Sequence, residues 1–142
     1  TVFRRRKVGY VFQDYNLVPE LTVQENILLA FALDDSRPNE MFFEEIVNLL
    51  GLGDELNKFP YMLSGGGQQR TAIARALITK PAIILADEPT GNLDSKTSDD
   101  VIGLLRMTSK EFHQTIVMIT HNPEIAKKAD VTIRIEDGRI HV

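Results

Sequence analysis

Apolar residues gather in short runs bounded by polar or turn residues, and these runs predict strands. They span residues 8–12, 82–86, 115–120 and 131–135. The first three runs are continuous, which is typical of strands buried on both faces of a parallel sheet. The fourth run alternates, and Asp137-Gly138 separates it from residues 139–142. We therefore expect an antiparallel hairpin at this end of the chain.

Apolar residues at helical spacing occupy the segments between these strands. The predicted helices span residues 21–33, 41–50, 68–79, 95–110 and 122–128. Thr22 and Glu25 predict a capping box at the start of the first helix. Because residues 15–75 are mostly helical, we predict an α/β fold in which this helical subdomain is inserted into a core made of residues 1–14 and 76–142.

Composition places the chain among single globular domains. Its 142 residues can bury one modest core, and 43% hydrophobic with 25% charged residues argues against disorder. No apolar stretch approaches the roughly 18 residues of a membrane-spanning helix. The absence of cysteine excludes a disulfide framework, a thiolate zinc site and a cysteine nucleophile. A net charge of −4 argues against nucleic acid binding by bulk charge, so we interpret Arg4–Lys7 as a solvated segment before the first strand.

The strongest chemical feature is a strand that ends in two carboxylates, Asp87 and Glu88. Ligands of parallel sheets bind at the carboxyl ends of the strands. One carboxylate can orient Mg²⁺ through water, and the other can polarise a water for attack on a phosphoryl group. A buried strand that ends at a solvated acidic turn explains the same pattern without chemistry.

A second feature is Ser64, a predicted helix N-cap, followed by glycines at 65–67. The amides and the positive partial charge of a helix N-terminus suit a phosphate, although a flexible glycine loop explains the pattern equally. Asp94 precedes a predicted helix and is interpreted either as its N-cap or as a site residue.

Histidine offers one further candidate. His121 follows the third strand, where an imidazole can hydrogen-bond a phosphate and a water, although a structural role explains it too. His113 and His141 have no partners at metal-ligand spacing, and we predict that both are surface residues.

The order of these features resembles the nucleotide-binding subunit of ABC transporters. In that resemblance Gln13 is similar to the Q-loop glutamine, Leu63–Arg70 to the signature motif, Ile83–Glu88 to the Walker B strand, Pro89–Asp94 to the D-loop and His121 to the switch histidine. The resemblance spans essentially the whole chain. The wording of Ala86–Asp94 most resembles the branch that serves lipoprotein release, macrolide and antimicrobial-peptide export, and cell division.

The resemblance implies an incomplete RecA-like, P-loop NTPase sheet and an ATPase that powers transport across a membrane with ATP and Mg²⁺. It makes Glu88 the general base or water-polarising residue, and Asp87 the residue that holds magnesium through water. Gln13 would sense magnesium and water while contacting the membrane partner. His121 would contact the γ-phosphate.

The resemblance also implies partners. Two subunits would pair head to tail around two ATP molecules, and Ser64, Gly65 and Gly66 would bind the γ-phosphate of the ATP held by the opposite subunit. Gly67 and Gln68 count with them as nucleotide-binding positions, and Asp94 would cross the dimer interface. The helical subdomain would dock on transmembrane subunits, which implies a peripheral position on the cytoplasmic face of the membrane and no nucleic acid partner.

The chain departs from the family at two places. None of its nine glycines is followed by lysine, so the phosphate loop G-x-x-x-x-G-K-[ST] is absent from these residues. We therefore expect the C-terminal part of a longer ATPase, with little ATP binding and no turnover by itself. The family usually has Gln or Glu at the position of Gly67, where glycine loses a capping box and costs about 0.5–1 kcal/mol.

Two other functions stay open. A non-catalytic fragment or degenerate subunit would act as a binding module through its helical subdomain. An ABC-type ATPase of ribosomes or of DNA repair is the other alternative. DNA-repair relatives insert long heptad coiled coils between the Q-loop and the signature motif, and residues 14–63 contain none.

Overall fold

The computed structural model describes residues 8–141, so the basic run Arg4–Lys7 and Val142 lie outside the described residues. Its strands are β1 (Val8–Phe12), β2 (Ile83–Asp87), β3 (Thr115–Ile119), β4 (Arg134–Glu136) and β5 (Arg139–His141). Its α-helices are α1 (Val23–Ile27), α2 (Leu29–Leu33), α3 (Glu40–Leu49), α4 (Gly65–Leu77), α5 (Ser95–Glu111) and α6 (Pro123–Ala126), with a 3₁₀ helix at Pro60–Met62. The predicted α/β class is confirmed. None of the helices within residues 8–141 is long and apolar enough to span a membrane.

The strands form two sheets. β1, β2 and β3 make a parallel sheet, as predicted, and β2 is its central strand. Its register pairs Phe12 with Asp87 and Asp87 with Ile119, so the three strands end side by side. β4 and β5 form a separate antiparallel hairpin. Asp137 and Gly138 at its turn have φ of 50° and 72°, which is the backbone that the predicted Asp-Gly turn requires.

Helices α4 and α5 cover one face of the parallel sheet. Val11, Ile84 and Ala86 point into that core and are at most 1% exposed, and α4 lies directly against β1. On the other face, residues such as Val117 and Ile119 are 48% and 57% exposed. The expectation that all three strands are buried on both faces is therefore wrong for the described residues, because their helices pack on one side only.

The helical segments differ from the predictions most clearly at two places, a break at Leu28 and the start of α4. The predicted helix over residues 21–33 is two short helices, because Leu28 leaves helical geometry with φ −91° and ψ 7°. The capping box at its start is confirmed, with Thr22 and Glu25 each accepting a hydrogen bond from the other's backbone N–H. Helix α4 begins at Gly65, three residues before the predicted start, because the Ser64 Oγ accepts a hydrogen bond from Gly67 N at 3.0 Å. The glycines at 65–67 are thus the first helical turn and not a flexible loop.

Candidate functional site

The carboxyl edge of the parallel sheet brings three of the predicted site residues to one place. Gln13 directly follows β1, Glu88 directly follows β2, and His121 lies two residues beyond β3. Because the register aligns the last residues of these strands, the sequence positions 13, 88 and 121 share one edge of the sheet. Asp87 is the last residue of β2 and is exposed at the same edge.

The backbone of Glu88 adopts an unusual conformation. Its φ is 45°, in the left-handed region that non-glycine residues rarely adopt. Two hydrogen bonds hold it there: Glu88 N donates to Ile119 O at 2.9 Å, and Gly91 N donates to Glu88 O at 3.0 Å. Strained backbone of this kind persists where the surroundings fix it, commonly at functional sites.

The Glu88 side chain is held by residue 121. Its Oε1 accepts a hydrogen bond from the backbone amide of His121 at 2.7 Å. The His121 Nε2 lies 3.6 Å from the same oxygen, and the imidazole is 92% exposed while the Glu88 side chain is 22% exposed. The carboxylate is therefore partly shielded and fixed in direction, with an accessible imidazole beside it.

Asn92 ties Gln13 to the loop after β2. Gln13 Nε2 donates to Asn92 Oδ1 at 3.2 Å, and Asn92 Nδ2 donates to Gln13 O at 3.1 Å and to Asp14 Oδ1 at 2.9 Å. Gly91 makes this approach possible, because a Cβ there would lie 2.6 Å from the Gln13 amide. The segment after β1 and the segment after β2 are thus bonded to each other.

The turn at Ser64 presents a helix N-terminus. Gly65 and Gly66 occupy the first two positions of α4, where a backbone N–H has no acceptor within the helix. A Cβ on Gly66 would lie 2.7 Å from Thr97 Cγ2. Glycine at this position therefore lets the turn pack against the first turn of α5.

Asp94 caps α5. Its Oδ1 accepts a hydrogen bond from Thr97 N at 2.8 Å. The prediction that Asp94 is the N-cap of this helix is therefore confirmed. Hydrogen bonds from Thr97, backbone first, lower the pKa of the Asp94 carboxyl, with a smaller contribution from Lys96. A role for Asp94 across a dimer interface stays a prediction.

Helix α4 also makes hydrogen bonds to the segment that follows Gln13. Arg75 donates to Asn16 O at 2.7 Å and to Tyr15 O at 2.9 Å. Burial lowers the pKa of the Arg75 guanidinium. Burial, with the neighbouring Asp14 charge, raises the pKa of the Tyr15 phenol. Tyr15 and Asn16 both have left-handed φ, 65° and 52°, so these two bonds fix a bend that the sequence pattern did not indicate.

Three residues that organise the site were missed in the sequence analysis: Gln69, Arg75 and Asn92. The signal for Gln69 was present, since it stands three and four residues before Ala72 and Ile73 on the apolar stripe of α4, where a polar side chain needs a partner. Arg75 stands between the apolar residues 72–74 and 76–78, where a charged side chain also needs a partner, so a signal was present for it too. Asn92 lies in a polar turn sequence and carried no such signal. His113 and His141 are exposed, as predicted.

Comparison with known proteins identifies a family. The sequence profile described as ABC transporter matches residues 1–91. An uncharacterised ABC transporter ATP-binding protein of Thermotoga maritima is 48% identical over 139 residues, which are 96% of this chain and 59% of that protein. The macrolide export ATP-binding/permease protein MacB of Rhodopirellula baltica is 42% identical over 97% of this chain and 21% of its own length.

Solved structures of an ABC transporter cassette have a similar fold. The dimeric ABC transporter cassette MJ0796 superposes with a TM-score of 0.79 at 39% identity, covering 99% of this chain and 64% of that one. A second structure of MJ0796 is a dimeric post-hydrolysis state bound to ADP and Pi. The chain thus spans less than two thirds of each of these relatives.

Proposed function

This chain belongs to the ABC transporter family, and we propose that it is part of an ATP-binding and ATP-hydrolysing subunit that powers transport across a membrane. The observation that carries the proposal is the common edge of the sheet on which Gln13, Glu88 and His121 follow three aligned strands. Phosphoryl transfer needs little more from a protein than such positioning together with charge stabilisation.

Glu88 is the residue proposed to polarise the attacking water. Its partly shielded carboxylate is fixed by the His121 amide, so a water on the carboxylate would have a defined direction. The exposed imidazole of His121 is available to a terminal phosphate. A general base acts at hydrogen-bonding distance from the proton that it takes. A carboxylate held in a fixed direction at the carboxyl edge of the sheet suits that role.

The oxygens at the sheet edge suit magnesium. The carboxylate of Asp87 and the side-chain amide of Gln13 are hard oxygen donors of the kind that Mg²⁺ accepts, directly or through water. When bound, the ion would neutralise charge on the phosphates. Asp87 would then hold its water shell, and Gln13 would turn its Oε1 to the ion or its water, since its contact with Asn92 uses Nε2.

The N-terminus of α4 is the proposed site for the ATP of a second subunit. Ser64, Gly65 and Gly66 would hold its γ-phosphate by the N–H groups of the first turn, with Gly67 and Gln68 beside them. Asp94 would cross the same interface. The head-to-tail pairing is supported by the dimeric form of the related cassette MJ0796.

The helical subdomain, residues 15–75, is the proposed docking surface for transmembrane subunits, and residues 1–14 with 76–142 are proposed to form the ATPase core. A relative whose name joins an ATP-binding part to a permease supports such a partner. The proposed place is the cytoplasmic face of the membrane. No nucleic acid partner is proposed, consistent with the net charge of −4.

The 142 residues alone are proposed to be inactive, because no glycine among them is followed by lysine and the β- and γ-phosphates would lack their usual cradle. That same observation favours one alternative, a non-catalytic remnant that binds a partner through residues 15–75. The test begins with the in-frame coding DNA upstream of Thr1. A strand, a phosphate loop and a helix encoded there, with ATPase activity of the full-length protein, support the proposal. A start codon or an unrelated sequence there overturns the catalytic assignment.

A further inference from the structure

Gln69 is a buried glutamine that joins two separate segments of the site. Its side chain is fully buried in α4. The amide nitrogen Nε2 donates to Phe12 O at 2.9 Å and also to Pro89 O. Phe12 is the last residue of β1 and Pro89 lies in the loop after β2, so one amide group bridges the ends of two strands.

The two acceptors flank the proposed catalytic residues. Phe12 immediately precedes Gln13, and Pro89 immediately follows Glu88. A hydrogen bond to a carbonyl oxygen fixes the plane of that peptide. The Phe12–Gln13 peptide leads directly into Gln13, whereas the Pro89–Thr90 peptide is linked to Glu88 through Pro89, whose ring fixes φ. Gln69 consequently constrains the backbone beside Gln13 and Glu88 at the same time, although its two hydrogen bonds go to main-chain oxygens and to neither side chain.

The nitrogen of the Gln69 amide, and not its oxygen, faces the two carbonyl groups. Both acceptors are carbonyl oxygens, so both hydrogens of the NH₂ group are used. The Gln69 Oε1 is buried and accepts no hydrogen bond within the described residues. If the amide were flipped, Oε1 would face two carbonyl oxygens and be repelled by both. The observed orientation therefore satisfies the two carbonyl groups, although it leaves Oε1 without a hydrogen bond from the part of the chain that the structure describes.

The same helix holds the other side of Gln13. Arg75 donates to Tyr15 O and Asn16 O, so α4 bonds to the backbone before and after the glutamine. Helix α4 begins at the Ser64 turn. The position of that turn and the positions of Gln13 and Glu88 are therefore tied through one rigid element.

We propose that Gln69 is a positioning residue that sets the backbone of Gln13 and Glu88 against the helix that starts at Ser64. The assignment of a catalytic consequence rests on the proposed function. The bridge itself does not, because it can be observed in a protein that hydrolyses nothing.

A matched control exists in the same chain. Gln114 is also a buried glutamine, and its Nε2 donates to the carbonyl oxygen of Pro81 at 2.8 Å. Pro81 precedes β2 and Gln114 precedes β3, at the end of the sheet opposite to Glu88. Substitution of Gln114 removes a similar buried hydrogen bond without touching the site.

The experiment compares Gln69→Leu and Gln69→Glu with Gln114→Leu and Gln114→Glu in the full-length protein. ATPase kcat and KM are measured from about pH 6 to about pH 8, within the range where the wild type stays folded. We expect both Gln69 variants to lose about tenfold to a hundredfold in kcat at neutral pH, with KM for ATP little changed. The Gln114 variants keep the wild-type kcat.

The pH profile separates positioning from a general loss of stability. A glutamate at 69 can donate a hydrogen bond only when protonated, and burial raises the pKa of a carboxyl group. Gln69→Glu should therefore regain part of its kcat, relative to wild type, as the pH falls, whereas Gln69→Leu should not. Folded Gln69 variants with wild-type kcat, or equal losses in the Gln114 variants, would overturn the inference.

Hydrogen exchange gives a readout that needs no activity. Gln69→Leu should raise amide exchange in residues 13–16 and in residues 88–92 together, and Gln114→Leu should raise it in neither. An inactive wild-type protein would refute the proposed function and leave this exchange result to decide the bridge. No joint rise in the two segments would refute the bridge itself.

Discussion

The backbone amide of His121 and the carboxylate of Glu88 are hydrogen-bonded at 2.7 Å, while the imidazole of the same histidine stands 3.6 Å from the same oxygen. The main chain therefore fixes the glutamate, and the ring is left exposed for other contacts. Substitution of the histidine ring and substitution of the carboxylate should for this reason have different consequences.

Glu88→Gln tests the proposed water-polarising role. The amide keeps an oxygen that can accept from the His121 backbone N–H, so the fold should be unchanged. It removes the basic carboxylate, and we expect kcat of the full-length protein to fall by about 10²–10⁴-fold while ATP binding is retained. His121→Ala keeps the backbone bond and should leave the melting temperature near that of wild type. Steady-state turnover and nucleotide-binding titrations measure kcat and ATP binding of Glu88→Gln, and thermal unfolding measures the stability of His121→Ala. Wild-type kcat in Glu88→Gln would refute the role.

The common edge of the site was predictable because it depends on backbone alone. The continuous apolar runs that precede Gln13, Glu88 and His121 predicted parallel strands, and parallel strands end at one edge. The exposed face of that sheet was not predictable in the same way. A continuous apolar run indicates a strand that can be covered on both sides, and it carries no information on which described helices cover it.

The hydrogen-bonded links across the site were beyond the sequence pattern. The hydrogen bonds that Gln69 donates to Phe12 and Asn92 donates to Gln13 join residues 57 and 79 positions apart, and local patterns encode neither. Local caps were predictable, because Thr22 with Glu25 and Ser64 with Gly67 act over three residues. The start of α4 was misplaced because consecutive glycines indicate a loop more strongly than a cap at Ser64 indicates a helix.

Gly66→Ala tests the packing of the Ser64 turn on α5. The new Cβ would lie 2.7 Å from Thr97 Cγ2, and we expect a net loss of about 1–2 kcal/mol in the free energy of unfolding, overpacking being partly offset by helix propensity. Thr97→Ser removes that methyl group and should relieve the cost. Denaturant unfolding of the two single variants and the double variant measures the coupling, and purely additive effects would contradict the contact.

Asp94→Asn tests the electrostatic part of the α5 cap. Both side chains present an Oδ1 to Thr97 N, but only the carboxylate titrates, and its folded-state pKa lies below the usual value. Its contribution is therefore fully present above the unfolded pKa of about 3.9 and is lost as the pH falls through the lower folded value. Unfolding midpoints should show wild type losing stability relative to Asp94→Asn across that acidic interval. Parallel pH curves for the two proteins would argue against the charge effect.

Gly67→Gln tests the second departure from the family. A Cβ at this position would meet Leu63 Cβ at 3.3 Å and Ser64 Oγ at 3.4 Å, so a side chain fits after a small adjustment. A glutamine here can bond back to the Ser64 backbone N–H and complete a capping box. We expect a gain of about 0.5–1 kcal/mol in the free energy of unfolding from propensity, with a further increment from the cap.

Gly67→Ala separates these two contributions, because alanine supplies the propensity without the cap. If Gly67 also weakens the capture of a phosphate at the N-terminus of α4, Gly67→Gln should raise the ATPase rate of the full-length protein, and Gly67→Ala should raise it less. An unchanged rate in Gly67→Gln, with stability increased as expected, would mean that the glycine affects the helix alone. The Ser64 amide, which the glutamine would engage, should then exchange more slowly without any effect on turnover.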